Sequence, residues 1–245
     1  MFKARSFRTF RAMIQRYSIT LPKSQLSERF EAAAPKDYKP NFNASQSNQL
    51  PIITSLNPER IVMFQWGLIP FSSKDPMIGD KLLNARVQTL KVKSPFCDLI
   101  GSKRCIILAD SFFAWQEAHN MSMPHRVMMK SEQAFGIAGV WDEWRMEGDD
   151  SSLFNTFSMI TTAANSTVGE MTDRMPAILP IGEEKKWLAP KLDLNEAIAK
   201  LQPYDSKKLK IYRVSNLVNN ISVNNNKVIK EINTTMPGET LSLFD

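Results

Sequence analysis

The chain has few of the residues on which many enzymes depend. Only two cysteines, Cys97 and Cys105, and two histidines, His119 and His125, occur among its 245 residues. Two cysteines in apolar surroundings make no disulfide framework and no zinc constellation, so we predict buried free thiols in a reducing compartment. The sequence therefore offers few candidates for a Cys-His or Ser-His catalytic pair.

Other absences narrow the class of protein further. The chain has no phosphate-binding loop, no dinucleotide fingerprint, no His-x-x-x-His pair and no nucleophile elbow. We therefore expect no metal and no cofactor. No apolar segment approaches the roughly 20 residues that a membrane-spanning helix needs, so the sequence predicts a soluble protein without membrane association.

What the sequence does contain is an ordinary globular composition with an excess of positive charge. Hydrophobic residues make up 43% and charged residues 23%, which excludes a chain that is disordered throughout. The formal net charge is +6, and the pI is about 9.3. This balance permits a polyanionic partner such as nucleic acid but does not require one.

The N-terminal end of the chain is basic and amphipathic. Up to Arg16 it contains one lysine, four arginines and no acidic residue, and on a helical wheel the phenylalanines and the arginines take opposite sides. The pattern is typical of a targeting presequence, a membrane-surface helix or an arm that lies on nucleic acid. A solvated extension ahead of an alternative start at Met13 explains it equally well. We treat residues 1–12 as an extension.

Hydrophobic periodicity predicts many short strands and a few helices. We expect strands over residues 14–20, 51–56, 60–66, 125–130, 134–140, 155–162 and 210–214. We expect helices over residues 24–34, 94–100, 165–171, 183–188 and 194–201, and irregular structure over 35–50. The pattern indicates one mainly β α+β domain over residues 13–220. An Asn-rich tail, residues 221–245, packs on the domain or trails from it.

Residues 104–115 form an apolar stretch with one polar interruption. An apolar run from Cys105 to Ala109 is followed by Asp110 and Ser111, and a second run ends at Trp115. Two short runs broken by one polar turn predict two strands that meet at a bend or bulge. On these residues alone, the stretch is a core hairpin with no chemistry of its own.

The order of several short motifs is more informative than any of them singly. The chain carries, in this order, Trp66-Gly67, Asn84-Ala85-Arg86, residues 104–115, Thr161-Thr162 and Asp173-Arg174-Met175-Pro176. From about residue 13 to residue 220, this arrangement resembles the SRAP family (SOS-response-associated peptidase), whose members act on abasic sites in single-stranded DNA. The resemblance implies a single domain with a barrel-like antiparallel sheet, peripheral helices and a basic groove for the DNA.

The family's chemistry implies four reacting groups. An N-terminal cysteine supplies an amine and a thiol that close a thiazolidine ring on the aldehyde of an opened abasic sugar. An asparagine holds the sugar, and a glutamate and a histidine serve acid-base steps. Here Asn84 matches the asparagine, whereas the other three positions are Ile14, Ala114 and Thr172. Glu117 lies at an odd offset from Ala114, which predicts the opposite face of a strand. The covalent reaction is therefore predicted to be lost.

The positions that the resemblance retains imply a surface for contact with DNA. They are Arg16, Asn43, Trp66, Asn84, Arg86 and Arg174. We expect a degenerate family member, a monomer in the cytoplasm or on the nucleoid. It is expected to bind single-stranded DNA, with or without an abasic site, through arginine–phosphate contacts and stacking on aromatic side chains.

Two alternatives stay open. One is an interaction or regulatory protein that kept the fold and lost the DNA role, with the retained motif residues explained by packing. The other is an active enzyme with an unrecognised nucleophile, so whether the chain is an enzyme at all is also open.

Overall fold

Short β-strands provide most of the regular structure in the part of the chain that the computed structural model describes, residues 13–118, 121–149 and 152–232. The strands there are β1 Tyr17–Ile19, β2 Asn41–Ala44, β3 Gln49–Thr54, β4 Asn57–Trp66, β5 Asn84–Arg86, β6 Arg104–Ala109, β7 Ser111–Ala118, β8 Met121–Met129, β9 Phe135–Arg145, β10 Leu153–Ala163, β11 Arg174–Pro176 and β12 Leu209–Arg213. The α-helices are α1 Lys23–Phe30, α2 Phe96–Leu99 and α3 Leu194–Ala199. None of the described helices is long and apolar enough to span a membrane.

Five of these strands close into a barrel. β10 pairs with β4 and with β9, β3 pairs with β4 and with β6, and β6 pairs with β9 to complete the ring. The β4–β10 pair is parallel and the other four are antiparallel. β5 and β11 pair with β10 further along its length. Closure removes the open edges of the sheet, and the predicted mainly β, barrel-like fold is confirmed.

The other strands form an open antiparallel sheet in the order β12-β8-β7-β1-β2. Alternate residues of β7 face opposite ways, as the pleat requires. Phe112 and Ala114 join an apolar cluster with Cys105 and Ile107 of the barrel. Phe113 joins a different cluster on the outer side of the sheet. We call the first the inner face of β7 and the second its outer face.

The strand β6 is buried along its whole length because both of its faces are covered. Ile106 and Leu108 pack in a cluster with residues of all three α-helices, and Cys105 and Ile107 pack towards the open sheet. The three α-helices thus pack on one face of β6, and residues of the open sheet such as Phe112 pack on its other face. This explains why residues 105–109 form a continuous apolar run instead of an alternating one.

The stretch over residues 104–115 is two strands with a bend, as predicted, but it is not a hairpin. β6 belongs to the barrel and β7 to the open sheet, and the chain crosses from one to the other at Asp110. The Asp110 carboxylate accepts hydrogen bonds from the hydroxyl of Ser18, from the hydroxyl of Thr20 at 2.6 Å, and from Arg126 at 3.2 Å. These contacts with β1 and β8 hold the chain at the bend. β6 and β7 do not pair with each other.

Residues 35–50, predicted to be irregular, contain β2 and the start of β3. β2 is polar in sequence, but β1 supplies its ladder partners, with Tyr17 opposite Ala44. The first predicted helix ends early, at Phe30, because Glu31 adopts a left-handed conformation with φ of 48°. The predicted helices over 165–171 and 183–188 are short 3₁₀ turns, Val168–Glu170 and Glu184–Leu188.

Residues 221–232, the described part of the predicted tail, pack on the outer side of the open sheet. Val223, Val228 and Ile229 contact the cluster that contains Phe113. The side chain of Asn224 accepts a hydrogen bond from the backbone N–H of Phe42 at 2.7 Å. The predicted extension, residues 1–12, and the end of the tail, residues 233–245, lie outside the described residues.

Candidate functional site

Asn84, on β5, is held against Ile14. Its Nδ2 donates to the backbone carbonyl of Ile14 at 2.9 Å. β5 runs parallel to β10 with Asn84 opposite Met159, which fixes the asparagine at the side of the barrel. Oδ1 of Asn84 has no hydrogen-bond partner among the described residues. The amide therefore keeps a free acceptor beside the residue at the family's cysteine position.

The three positions that depart from the family pattern are buried. Ile14 exposes 1% of its surface, Ala114 2% and Thr172 6%. Ile14 and Ala114 share the inner apolar cluster with Val168 and Met171, which belong to the turn that carries Thr172. Apolar side chains cannot attack an aldehyde or carry a proton, and a threonine hydroxyl does not titrate near neutral pH. Asn84 contacts Ile14, and Ile14 and Ala114 lie in one apolar cluster, so apolar packing fills the positions where the family has reacting groups.

Arg86 and Arg174 lie on opposite edges of β10, close to each other. Arg86 is opposite Thr161, and Arg174 is opposite Ala163. The guanidinium of Arg174 is buried and donates to the carbonyl and to the hydroxyl of Thr161. Burial, and after it the charge of Arg86, lower the pKa of Arg174. Arg86 is exposed, so it is available to a ligand, whereas Arg174 is engaged in holding β10.

Arg16 lines a cleft on the outer side of β7. The cleft has a volume of about 400 Å³ and is lined by Gln15, Arg16, Trp115, Glu117, Ser122 and Asn219. Burial lowers the pKa of Arg16, and its Nε has no hydrogen-bond partner among the described residues. An arginine stays protonated at neutral pH even so. Arg16 therefore offers positive charge to a ligand in this cleft.

Glu117 faces this cleft and cannot replace the missing glutamate. It lies on the outer face of β7, away from Ala114, in agreement with the odd offset between them. Its carboxylate accepts a hydrogen bond from the hydroxyl of Ser122 at 2.6 Å. The neighbouring indole of Trp115 donates to the side chain of Asn219 at 2.9 Å.

Two residues expected to contact DNA are parts of the scaffold instead. Trp66 has no exposed surface, and its indole donates to the carbonyl of Leu83 at 3.0 Å. A buried ring has no face to offer a nucleobase, which excludes direct contact of Trp66 with DNA in this fold. Asn43 is also buried. Its Nδ2 donates to the carbonyls of Val218, Asn220 and Val223, so it holds the C-terminal segment.

The sequence did not indicate that His125 lies beside the glutamate position. His125 is opposite Ala114 on β7 and opposite Arg213 on β12. Directly opposed residues project from the same face of a sheet, so all three belong to the inner face. Burial, and after it the charge of Arg213, lower the pKa of His125, while the carbonyl of Met123 near Nδ1 works in the opposite direction. Only the register of three strands reveals this neighbourhood.

The prediction of buried thiols holds for Cys105 but is wrong for Cys97, which lies on α2 and is only partly buried. Cys105 supplies no nucleophile at this site. Cys105 is buried in the inner cluster, and burial raises its thiol pKa well above the ordinary value. A protonated thiol is a poor nucleophile. Among the residues described, no group of three His, Cys, Asp or Glu side chains is placed to hold a metal ion.

These motifs and this fold define the class of protein. The chain belongs to the SOS response associated peptidase (SRAP) family, whose model matches residues 13–221. It is similar to the abasic site processing protein YoqW of Bacillus subtilis (strain 168), with 39% identity over 197 residues, 79% of this chain and 87% of that protein.

The similarity extends to vertebrate proteins and to solved structures. The abasic site processing protein HMCES of Xenopus tropicalis is 29% identical over 216 residues, which are 75% of this chain and 63% of that protein. A crystal structure of a protein from Bacteroides thetaiotaomicron superposes with a TM-score of 0.79 at 28% identity and covers 89% of this chain and 99% of that one.

Proposed function

We propose that this chain binds single-stranded DNA, including strands with an abasic site, without forming the covalent link expected of its family. Its relatives are named abasic site processing proteins, which supports DNA as the partner. A protein with this partner acts where DNA is, so the proposal includes a cytoplasmic, nucleoid-associated location.

The observation that carries the non-covalent part is the state of Ile14. Its side chain is buried in an apolar cluster, its nitrogen is in a peptide bond to Met13, and its carbonyl is occupied by Asn84. Neither an amine nor a thiol is present to close a ring on an aldehyde. Ala114 and Thr172 add no titrating group near neutral pH, so proton transfer lacks two of its partners as well.

The binding part is supported by exposed and half-buried cations and aromatic rings near the same strands. Arg86 is exposed two residues from Asn84, and Arg16 lies beside Trp115 in the outer cleft. Phe71 follows β4 in the loop that leads to Asn84, and 73% of its surface is exposed. Guanidinium groups bind phosphates, and exposed aromatic rings stack on unpaired bases. Together they can hold a strand without a covalent bond.

The test is a titration of labelled oligo-dT, with and without one abasic site, followed by fluorescence anisotropy at about 50 and 200 mM salt. We expect affinity to fall steeply with salt and denaturing electrophoresis to show no shifted band. Arg86→Ala should lower the salt slope by about 0.7, the value of one phosphate contact on a single strand. Lys39→Ala, an exposed charge outside these clefts, is the matched control.

Two results would redirect the proposal. Absence of salt-sensitive binding would favour the interaction protein that kept only the fold, a view to which the structural roles of Trp66, Asn43 and Arg174 already lend weight. A shifted band in the denaturing gel would instead reveal an active enzyme with a different nucleophile.

A further inference from the structure

A second cleft lies at the β12 side of the open sheet, around the last residues of β8. Its volume is about 740 Å³, within the range of ligand-binding pockets. Four lysines line it, together with one carboxylate. They are Lys130, Lys200, Lys207, Lys208 and Asp205. The cleft is therefore cationic.

Two of these lysines, Lys130 and Lys208, lie opposite each other on neighbouring segments of the open sheet. Leu209 of β12 is opposite Met129 of β8, and the backbone N–H of Lys130 donates to the carbonyl of Lys208 at 2.8 Å. The ladder thus continues for one more step and places Lys130 opposite Lys208. Like charges in this arrangement destabilise a sheet. A bound anion would remove the repulsion between Lys130 and Lys208. Lysines that are scattered over a solvated face have no such repulsion to relieve.

The remaining charged groups in the cleft do not cancel its excess of positive charge. Lys200 is neutralised by Glu196, with Nζ 2.6 Å from a carboxylate oxygen. The carboxylate of Asp205 accepts a hydrogen bond from the backbone N–H of Lys207 and so caps a 3₁₀ turn. Lys130, Lys207 and Lys208 form no ion pair with any residue of the described ranges.

The cleft also contains apolar and aromatic surface. Met129 and Ile178 line it, and Tyr204 presents a partly buried phenol ring. The carbonyl of Tyr204 accepts a hydrogen bond from Nδ2 of Asn165 at 2.7 Å, and Asn165 begins the turn that carries Thr172. A hydrogen bond therefore joins the wall of this cleft to the start of the segment that leads to Thr172.

We propose that this cleft binds the phosphodiester backbone of single-stranded DNA beyond the segment held at Arg86, with Lys130, Lys207 and Lys208 contacting phosphates and Tyr204 contacting a base. The inference rests on the proposed function and extends it by a second contact region on the same strand. A positively charged groove combined with an aromatic ring is the arrangement that binds single strands without sequence preference.

An acidic protein segment is the competing occupant, since it would satisfy the same lysines. The observations favour a nucleic acid because the cleft adds an aromatic ring, that of Tyr204, to the lysines.

The experiment compares two lengths of labelled oligo-dT, about 5 and about 16 nucleotides, which bracket the site sizes of single-strand binding folds. The variant is Lys130→Ala with Lys208→Ala, and the matched control is Lys36→Ala with Lys39→Ala, exposed lysines that do not line the cleft. We expect the variant to lower the salt slope for the longer strand by about 1.4, two phosphate contacts, and to leave the short strand unchanged. The midpoint of thermal unfolding should stay equal or rise, because a like-charge pair is removed.

The outcomes separate this inference from the proposed function. An unchanged slope for the long strand in the lysine variant, together with a lower slope in Arg86→Ala, would overturn the cleft and leave the function standing. A lower slope in the lysine variant alone would support the cleft and remove Arg86 from the interface. No binding of either strand by the wild-type chain would overturn both. A Glu-rich peptide that displaces the long strand from the wild type and loses affinity in the lysine variant would assign the cleft to an acidic protein.

Discussion

The start of β7 and its middle, only a few residues apart, treat buried charge in opposite ways. At Asp110 and Ser111, where the strand begins, buried charges are kept and every one is partnered: Arg126 donates to both residues, at 3.2 Å and 2.8 Å. At Ala114, where the family carries a glutamate, the side chain is uncharged and lies in the same apolar cluster as Ile14. A buried charge survives where the fold depends on it. Where only a reaction would need one, apolar packing has taken its place.

The largest expected effect would break this comparison by restoring the family's reacting groups around Ala114. Removing residues 1–12 and making Ile14→Cys, Ala114→Glu and Thr172→His should produce a cross-link to abasic single-stranded DNA that the parent lacks. The new terminal amine and thiol would be adjacent once Met13 is removed, and Asn84 already contacts this position. The readout is a shifted band in denaturing electrophoresis.

The control is the same triple variant with residues 1–12 retained. It has the thiol but no free amine on the same residue, so it should form no thiazolidine. If the shortened variant folds and still fails to cross-link, the geometry of the family site has changed along with its residues.

The next largest effect concerns the charged end. Asp110→Ala should lower the free energy of unfolding by about 3–5 kcal/mol, because it leaves Arg126 buried without its carboxylate. It also removes the acceptor that Thr20 uses beside β1. Denaturant unfolding followed by circular dichroism measures the change. Glu117→Ala, which removes an exposed carboxylate on β7, should change stability by less than about 0.5 kcal/mol, and an equal effect of the two substitutions would contradict the contrast.

The smallest effect is a titration beside Ala114. Burial, and after it the charge of Arg213, lower the pKa of His125 below 6.5. The unfolded chain therefore takes up this proton first as the pH falls, so the stability that neutral His125 contributes is present above about 6.5 and is lost as the pH falls through its folded-state pKa. NMR titration of the imidazole should give a midpoint below 6.5.

His125→Gln provides both the assignment and the control for this titration. It should remove the resonance in question and flatten that part of the pH dependence of unfolding. A midpoint at or above 6.5 would mean that Arg213 and burial do not act on this imidazole as the register indicates.

Local sequence patterns predicted where the strands lie better than which strands pair with each other. The apolar runs on either side of Asp110 identified β6 and β7, because alternation and burial are local properties of the sequence. They did not indicate that the two strands join different sheets, since this depends on Ser18 and Arg126, which lie far away in the sequence. β2 was missed for a related reason: its Asn-Phe-Asn-Ala sequence has no strand signal without β1 beside it.

At the candidate site, too, the sequence indicated some features and the structure was needed for others. The resemblance assigned Asn84 to the family's asparagine position, and the structure places its side chain against Ile14. It could not distinguish residues kept for a ligand from residues kept for packing. Trp66 and Asn43 are explained by their burial and by hydrogen bonds to backbone carbonyls, which only coordinates reveal.

The sequence by itself determined which reacting groups are absent. No fold can give a thiol to Ile14, a carboxylate to Ala114 or an imidazole to Thr172, because covalent structure is set residue by residue. Only the tertiary structure decided which residues surround those positions and which charged side chains become neighbours. Lys130 and Lys208 are far apart in the chain and adjacent in the sheet, since strand register, unlike composition, is a property of the folded chain.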